Sequence, residues 1–533
     1  MGISVGDSRR LAIRGELLTR ADFGIHAVRN VSHKVEWLMD RLQKLCAVGT
    51  AVRRSRGQTS WAFLLELMVV VALLSGESCL AQKELLNASI DSRADETWDA
   101  AQKIWQWAEP GYQEVQSAGL LAGQLEAAGF QVVRGVAEMP TAFTATFGDG
   151  HPIIGILGEY DALPELSQQA VPQRAPIEGN EYGHACGHHL FGAASVSAAI
   201  AIAEQIRSGQ IRGTVRFYGC PAEEGGSGKV FLVRAGLFND CDAVVHWHPS
   251  SRNAAGDPSC LARCAVKFRF HGRAAHAGAS PHLGRSALDA VELTNYAAEM
   301  LREHTPDMTR IHHVITSGGG APNVVPEFAE VFYYVRHPQA EVVRDLYNRL
   351  VLCAKGGALA TETKLEVEYL GGTVEILPND TLKRLTLANL RALNQLQYDE
   401  TEKQFAARIQ STLLEQPSLD SITEVVDASG STKMGSTDVG DVSWVVPTTG
   451  FSTVCWVPGT PGHSWQAVAS GGTTIGRKGM LMAAKVLAAT MWDMYQQPDV
   501  IAAAKKEHQK RLASKQYQAL LEPKQKPPLD YRK

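Results

Sequence analysis

The sequence lacks the features that define several large classes of protein. Its 56 acidic and 52 basic residues leave a net charge of −4, which gives no reason to expect a nucleic acid or an anionic membrane as partner. Nine cysteines in 533 residues do not form a disulfide framework, and no paired CxxC motifs mark a zinc ribbon. Internal repeats are absent. The hydrophobic content of 45% is ordinary for a globular protein, and the length predicts two domains.

The first 80 residues differ in composition from the rest of the chain. Three arginines between positions 53 and 56 precede an apolar run from Trp61 to Leu74, and small residues follow up to Ala81. This order predicts a secretory signal sequence within an N-terminal extension, residues 1–82, and hence export to the periplasm or medium. The apolar run is too short to span a bilayer comfortably, so no membrane span is expected. The alternative is a cytoplasmic protein with a helical or disordered extension.

Strands and helices alternate through residues 83–263, and the pattern returns over residues 377–500. The apolar runs Pro152–Leu157, Gly213–Tyr218 and Asp242–Trp247 read as buried strands, with helical segments between them. Such alternation predicts an α/β fold, a mostly parallel sheet with helices on both faces. Ligands in this class bind beyond the carboxyl ends of the strands.

A short stretch between two of these strands is crowded with metal-binding side chains. His184, Cys186, His188 and His189 fall within six residues of GHACGHH, and imidazole and thiolate are the ligands that zinc prefers. In an extended loop Cys186 and His188 would point to one side, because side chains alternate with period two. The predicted strands end close to further candidate ligands, which are Asp161, Glu223, Glu224 and His248. We therefore predict a metal site at this edge of the sheet.

The adjacent carboxylates Glu223 and Glu224 can take two different roles. One can ligate a metal while the other collects the proton of a water that the metal activates. The glycine run that follows ends in Lys229, but it lacks the first glycine and the Ser/Thr of a Walker phosphate loop. His246 lies two residues before His248, on the same side of the predicted strand, and is an alternative ligand.

Residues 264–376 change pattern to strand-helix-strand-strand-helix-strand, the order of a split βαβ sandwich. This segment is predicted to be an inserted, ferredoxin-like α+β domain. The last segment, residues 501–533, is rich in lysine and proline and is predicted to be a peripheral basic tail.

Taken together, these residues resemble the M20 family of metallopeptidases and amidohydrolases, and in particular the branch that contains the B subunit of aminobenzoyl-glutamate hydrolase. The resemblance covers about residues 90–500 and rests on eight motifs in order. They are EYDALP at 159–164, HACGH at 184–188, PAEE at 221–224, HWHP at 246–249, GRAAHA at 272–277, PNVVP at 322–326, GSTDVGDVSW at 435–444 and PGHS at 461–464.

The resemblance implies a zinc-peptidase-like catalytic domain with an inserted lid and dimerisation domain, and therefore a homodimer. It implies two divalent ions per protomer, Zn²⁺ or Mn²⁺, with Cys186 shared between them and the remaining ligands His188, Glu224, His248 and His463. Glu223 would act as general base and proton donor, and His276 would stabilise the oxyanion, reaching into the partner's site. Asn323 and Arg336 would bind a substrate carboxylate, which a guanidinium can grip bidentately.

The implied reaction is hydrolysis of the amide bond of an N-acyl amino acid or dipeptide-like small molecule with a free carboxylate. N-acylated glutamate, in the manner of aminobenzoyl-glutamate, is the best single candidate for the substrate. Two rival hypotheses are a cysteine hydrolase that uses Cys186 as its nucleophile and a non-catalytic binding protein on the same scaffold. His189 stands where related sequences often carry Asp or Asn. The sequence therefore does not predict which groups support the metal ligands from behind.

Overall fold

A computed structural model describes residues 82–256 and 259–532 of the chain. The predicted signal sequence and nearly all of the N-terminal extension lie outside these residues. The described chain contains a mixed eight-stranded sheet and a separate four-stranded antiparallel sheet. The predicted fold class, a mostly parallel sheet with helices plus an inserted α+β unit, is confirmed.

The large sheet is parallel at its centre and antiparallel towards its edges. Its strands are β1 Gln131–Arg134, β2 Phe143–Asp149, β3 Ile153–Glu159, β6 Gly213–Cys220, β7 Ala243–Ser250, β8 Asn253–Ala255, β13 Val425–Asp427 and β14 Thr448–Val454. They lie in the order β1-β2-β6-β3-β7-β14-β8-β13. The four central strands, β6, β3, β7 and β14, run parallel, and antiparallel pairs lie towards both edges. All seven residues of β3 are buried, as expected of a strand that is covered on both faces.

Helices cover this sheet, and one of them begins at His188, a predicted metal ligand. The helix His188–Arg207 contacts β3, β6 and β7, and sixteen of its residues are buried. It is the one described helix that is long and apolar enough to cross a bilayer, and its place is inside the protein core. The other helices outside the small sheet include Ala94–Trp107, Val115–Ala127, Gly228–Arg234, Asp380–Leu393, Glu400–Gln410, Val439–Val445, Trp465–Gly471, Thr474–Gln496 and Pro498–Leu512.

The small sheet forms a unit with two helices of its own. Its elements in chain order are β9 Ala262–His271, helix Ala287–Arg302, β10 Arg310–Ser317, β11 Phe328–His337, helix Ala340–Thr361 and β12 Lys364–Thr373. The strands lie in the order β10-β11-β9-β12, with every neighbouring pair antiparallel. Alternate residues of β11 are buried, and they pack with the two helices into a separate hydrophobic core. Two further strands of two residues each, β4 Leu163–Pro164 and β5 Tyr182–Gly183, pair with each other.

One sequence expectation needs correction. Residues 501–533 are not merely peripheral. Ile501 and Leu520 are buried, and Tyr531 packs its ring edge-on against Tyr112 at 5.8 Å.

Candidate metal centre and active site

A tight turn places Cys186 and His188 together. Gly187 has φ +77°, and His188 begins the buried helix. A Cβ on Gly187 would lie 2.7 Å from the Pro249 Cβ, so only glycine fits this close approach. The two ligands therefore converge through a left-handed turn into a helix and not through the extended loop predicted from the sequence.

The hydrogen bonds of His188 fix which of its nitrogens can bind a metal. Its Nδ1 lies 2.9 Å from Asp161 Oδ1 and donates to that carboxylate, so Nε2 is the nitrogen that a metal can bind once it has lost its proton. Nε2 in turn lies 3.0 Å from Glu159 Oε2, and both atoms are buried without a hydrogen-bond partner. A lone pair facing a carboxylate oxygen requires a proton or a cation between them, so this contact fits a metal position.

His248 presents the same atom to the same space. Its Nδ1 donates to the carbonyl of Pro249 at 2.7 Å, and its Nε2 lies 3.4 Å from Cys186 Sγ. Cys186, His188 and His248 offer three ligand atoms within 4.8 Å of one another. His246, the alternative from the sequence, belongs to none of the ligand groups among the described residues.

A second group of ligand atoms shares Cys186. Cys186, Glu224 and His463 also lie within 4.8 Å of one another, and His463 Nε2 is 3.2 Å from Glu224 Oε1. The backbone N–H of His463 donates to the carbonyl of Ala185 at 3.0 Å, which ties the two ligand loops together. The Cys186 sulfur thus belongs to two triads of ligand atoms, an arrangement that suits two neighbouring ions.

The charge states suit metal binding. Burial and Glu224 oppose ionisation of Cys186, but His248 and His188 lower the pKa of its thiol to about 6, so the thiolate that metals prefer is present at neutral pH. Burial also opposes ionisation of Glu224, yet His463 brings the pKa of that carboxyl to about 2. Hydrogen bonding to Cys186 and Glu224 raises the pKa of His463 to about 11, so an ion that binds here displaces a proton. The donor set, one sulfur with nitrogen and oxygen ligands, fits zinc.

Glu223 lies next to this cluster at the end of β6. Ala222, just before it, has φ +56°, a left-handed conformation unusual for alanine. Burial, together with Glu224 and Glu159, raises the pKa of Glu223 well above its ordinary value. Glu223 also forms a third ligand group with Glu159 and His188.

A buried lysine, Lys229, supports this region from behind. Its Nζ lies 2.6 Å from Glu159 Oε1 and 2.6 Å from Asp438 Oδ1, and all three side chains are almost completely buried. Burial raises the pKa of Glu159, but the Lys229 ammonium and His188 outweigh it and hold that pKa well below its ordinary value. The lysine that the rejected phosphate loop contained is therefore the counter-ion of two buried carboxylates.

A cavity of about 340 Å³ opens from these groups towards the small sheet. Its lining joins Glu223, Glu224 and His463 to three arginines, Arg263, Arg336 and Arg532, with Tyr334, Ser436 and Thr437 among the remaining side chains. Of the substrate-binding residues implied by the resemblance, Arg336 is therefore at the site.

His276 and Asn323 are not among the residues that line this cavity. Both are exposed, and they lie side by side: the N–H of Ala277 donates to the Asn323 carbonyl at 2.9 Å. The His276 Nδ1 accepts hydrogen bonds from the backbone N–H groups of Gly278 and Ala279, both at 3.1 Å. Its Nε2 therefore carries the proton in the neutral ring and is available as a donor.

His189, whose environment the sequence left open, lies in the core behind the ligands. Its Nε2 is 3.2 Å from the carbonyl of Gly471, and its ring packs against His184. Burial lowers the pKa of His189 to about 3, so the ring is neutral.

Sequence reasoning missed several members of the site. Asp161 was expected as a ligand, but it belongs to none of the described ligand groups and instead accepts a hydrogen bond from His188. Glu159 appeared only within a motif, and Lys229 and Arg263 had no role. Arg532 sits in the segment predicted to be peripheral, and no local pattern marks it. The GSTDVGDVSW motif, whose first four residues line the cavity, was the sequence signal for this side of it.

Comparison with known proteins agrees with this geometry. Residues 155–493 match the sequence model of peptidase family M20/M25/M40. The chain is 40% identical over 452 residues to the B subunit of p-aminobenzoyl-glutamate hydrolase from Escherichia coli, covering 80% of this chain and 94% of that protein. It is 31% identical to the Xaa-Arg dipeptidase of mouse, covering 83% and 96% of the two chains.

Solved structures share the fold at low sequence identity. An aminohydrolase from methicillin-resistant Staphylococcus aureus superposes with a TM-score of 0.58 at 18% identity, covering 78% of this chain and all of that one. A Bacillus subtilis protein described as a dinuclear metal-binding peptidase of the M20 family gives a TM-score of 0.52 at 17% identity, covering 78% and 99% of the two chains.

Proposed function

Because the chain belongs to peptidase family M20/M25/M40 and is a hydrolase of that family, we propose that it is a dinuclear metal-dependent amidohydrolase. Its substrate is the amide bond of an N-acyl amino acid or dipeptide-like molecule with a free carboxylate. The observation that carries this proposal is the Cys186 sulfur, which belongs to two separate groups of ligand atoms beside Glu223.

Two divalent ions, Zn²⁺ or Mn²⁺, would be held by the two triads. His188 and His248 complete the first with Cys186, and Glu224 and His463 complete the second. When bound, such ions lower the pKa of a coordinated water and polarise a carbonyl group. The thiolate favours zinc on grounds of softness, whereas the imidazoles and the carboxylate also accept manganese.

Glu223 is the proton carrier of the reaction. Its carboxyl lines the cavity beside both triads and is not engaged by any of the hydrogen bonds described for this chain. It takes a proton from the attacking water and delivers it to the nitrogen of the departing amine. Burial and the neighbouring carboxylates raise its pKa, which makes the protonated form accessible for the second of these transfers.

His276 donates from Nε2 to the oxyanion, and Asn323 and Arg336 hold the substrate carboxylate. Since His276 and Asn323 do not line the cavity of their own chain, a second copy supplies them through the residues 264–376 domain. The active form is accordingly a homodimer of the 57.7 kDa chain, which light scattering tests directly. A monomer with full activity would contradict this arrangement.

N-acylated glutamate is the proposed substrate class. The support comes from the relative named as the B subunit of a p-aminobenzoyl-glutamate hydrolase and from the arginines of the cavity, which favour an anionic over a cationic amine half. The second relative is named as an Xaa-Arg dipeptidase, so N-benzoyl-arginine is the comparison substrate that best tests the preference for glutamate.

The decisive experiment measures metal content and hydrolysis together. Apo, zinc-loaded and manganese-loaded protein are offered p-aminobenzoyl-glutamate, N-benzoyl-glutamate, N-benzoyl-arginine and simple dipeptides, with Glu223→Gln as control. We expect about two ions per chain, cleavage that requires metal, and loss of about 10²–10⁴-fold in kcat with Glu223→Gln at unchanged metal content. Full activity of metal-free protein would refute the proposal.

The lowered pKa of Cys186 and its contact with His248 also suit a cysteine nucleophile, and this is the competing mechanism. Cys186→Asp separates the two. A carboxylate can still bridge two ions, so partial metal-dependent activity is expected, whereas a thiol nucleophile would leave none. A non-catalytic binding protein would bind metal and cleave no member of the panel.

Export of the protein is a separate proposal, which rests on the basic-apolar-small order of residues 53–81. Fractionation of cells that express the full chain, followed by N-terminal sequencing of the product, tests it. Cleavage after Ala81 and recovery outside the cytoplasm are expected. Uncleaved cytoplasmic protein would refute it.

A further inference from the structure

Two arginines face each other in the cavity, and neither forms an ion pair with a carboxylate among the described residues. Arg263 on β9 and Arg336 on β11 are directly opposite in the antiparallel register. Their guanidinium carbons lie 4.8 Å and 5.6 Å from the centre of the Tyr334 ring. Like charges at opposed positions destabilise a sheet, and Arg263 is only 6% exposed, so solvent does little to relieve this pair.

Their described hydrogen bonds reach neutral groups only. Arg263 Nη2 donates to Ser227 Oγ at 3.1 Å, and Arg336 Nη1 donates to Ser436 Oγ at 3.2 Å. Arg336 Nε is buried with no hydrogen-bond partner. Among residues 82–256 and 259–532, no carboxylate forms an ion pair with either arginine. An anion entering the cavity would supply both the missing charge and the missing acceptor.

A third guanidinium reaches the cavity from the segment after the last helix. Arg532 Nη2 donates to the carbonyl of Glu224 at 2.8 Å, and the Tyr531 hydroxyl approaches the same oxygen at 3.3 Å. Tyr182 donates its hydroxyl to the Arg532 carbonyl at 3.3 Å. These contacts anchor the segment at the edge of the metal cluster, and Arg532 Nε remains buried without a partner.

Gly225 shows how near the third arginine comes to the other two. A Cβ on Gly225 would lie 3.7 Å from the Tyr334 hydroxyl and 3.8 Å from Arg532 Nη2. The guanidinium groups of Arg263 and Arg336 both lie against the Tyr334 ring. This pair and Arg532 therefore both lie close to Gly225. The cavity thus offers two adjoining positions for negatively charged groups.

We propose that Arg532 forms a second anion subsite beside the Arg263–Arg336 pair, so that the enzyme selects substrates whose amine half carries two carboxylates. The inference rests on the proposed amidohydrolase function and names its substrate class. One carboxylate binds Arg336, as that function already requires, with Arg263 as its second partner. The other binds Arg532, and a neutral or cationic side chain leaves this arginine unpaired.

The experiment compares N-benzoyl-glutamate with N-benzoyl-glutamine, which has the same shape and lacks only the side-chain charge. For the dicarboxylate, Arg532→Gln should lower kcat/KM by about 10–100-fold, chiefly through KM, the loss expected for one charge-assisted hydrogen bond. The glutamine substrate should change by less than about threefold. Arg532→Lys should recover part of the difference. Equal losses on both substrates, or none on either, would overturn the subsite.

Lys526→Gln is the matched control. Lys526 lies in the same segment, is exposed and does not line the cavity, so the ratio between the two substrates should not change. Arg263→Gln adds a second test, because it removes a like-charge pair. We expect it to raise KM for the dicarboxylate without lowering the melting temperature. A large loss of thermal stability would assign Arg263 a structural role instead.

Binding of small anions separates this inference from the proposed function. Calorimetry with glutarate, a dianion, and butyrate, a monoanion, is run on metal-loaded protein. Glutarate should bind more tightly to wild type, and Arg532→Gln should abolish that preference. If the wild type binds in this way but cleaves no amide, the subsite stands and the proposed function fails. If it cleaves the glutamine substrate as well as the glutamate one, the function stands and the subsite fails.

Discussion

The carboxyl group of Glu114 accepts a hydrogen bond from the backbone N–H of Ala222, at 2.8 Å. Ala222 is the left-handed residue just before Glu223 and Glu224, the two adjacent glutamates of the site. The other oxygen of Glu114 accepts from the Thr141 hydroxyl at 2.8 Å. A fully buried acid therefore holds the strained turn that precedes Glu223, the proposed proton carrier.

This acid gives the protein a pH-dependent stability. Burial, with Asp161 nearby, raises the pKa of Glu114 to about 8, so the folded state holds a proton that the unfolded state releases near pH 4.5. The free energy of unfolding should then fall as pH rises from about 5 to 8, by on the order of 1 kcal/mol per pH unit. Glu114→Gln, which mimics the protonated form, should flatten this decline in urea unfolding curves.

Glu178→Gln is the control, because Glu178 is exposed and its replacement should leave the pH profile as in wild type. A Glu114→Gln profile that declines as steeply as that of wild type would show that Glu114 is ionised in the folded protein.

The ion pairs of Lys229 predict a large stability effect. Lys229→Met leaves Glu159 and Asp438 buried without their cation, and removing one partner of a buried pair costs about 3–5 kcal/mol. Lys103→Met removes an exposed i,i+4 pair with Asp99 and should cost less than about 1 kcal/mol. Denaturant titration measures both. Similar small losses would mean that solvent reaches the Lys229 cluster.

These examples show which parts of the site the sequence reveals. Cys186, His188, Glu224 and His248 stand in short motifs next to strands, and strand ends meet at one edge of a parallel sheet, so their convergence was predictable. The contact between Lys229 and Asp438 joins residues 209 positions apart and leaves no periodic pattern. Its prediction needs the fold itself.

The same limit applies to Arg532 and His276. The segment around Arg532 has the proline and lysine content of a linker, and its anchoring depends on single contacts with Tyr112, Tyr182 and the Glu224 carbonyl. His276 belongs to a recognisable motif, but it lies outside the cavity of its own chain, and its place at the site rests on the proposed association of two copies. For these residues, the chemical character is easier to predict from the sequence than the position in the folded protein.

Asp161 is predicted to tune metal affinity without touching the metal. One of its oxygens accepts from His188 Nδ1 and the other from the Glu224 backbone N–H, both at 2.9 Å. Asp161→Asn keeps only one acceptor, so zinc affinity should fall by about 10–100-fold. Competition with a chromogenic chelator measures this. Asp149→Asn, at an exposed strand end, should not change it, and equal affinities for all three proteins would remove Asp161 from the site.

Gly187 and Gly209 form a matched pair for testing the ligand turn. Both have left-handed backbones, with φ +77° and +75°, but a Cβ on Gly187 would lie 2.7 Å from Pro249 Cβ, whereas nothing lies within 4 Å at Gly209. Gly209→Ala should therefore cost only the backbone strain, about 1–2 kcal/mol, and leave metal content unchanged. Gly187→Ala should cost more and lower the metal content, because relieving the contact moves Pro249, and with it His248, away from Cys186. If both variants lose the same stability and keep their metal, the close approach of Gly187 to Pro249 does not set the ligand geometry.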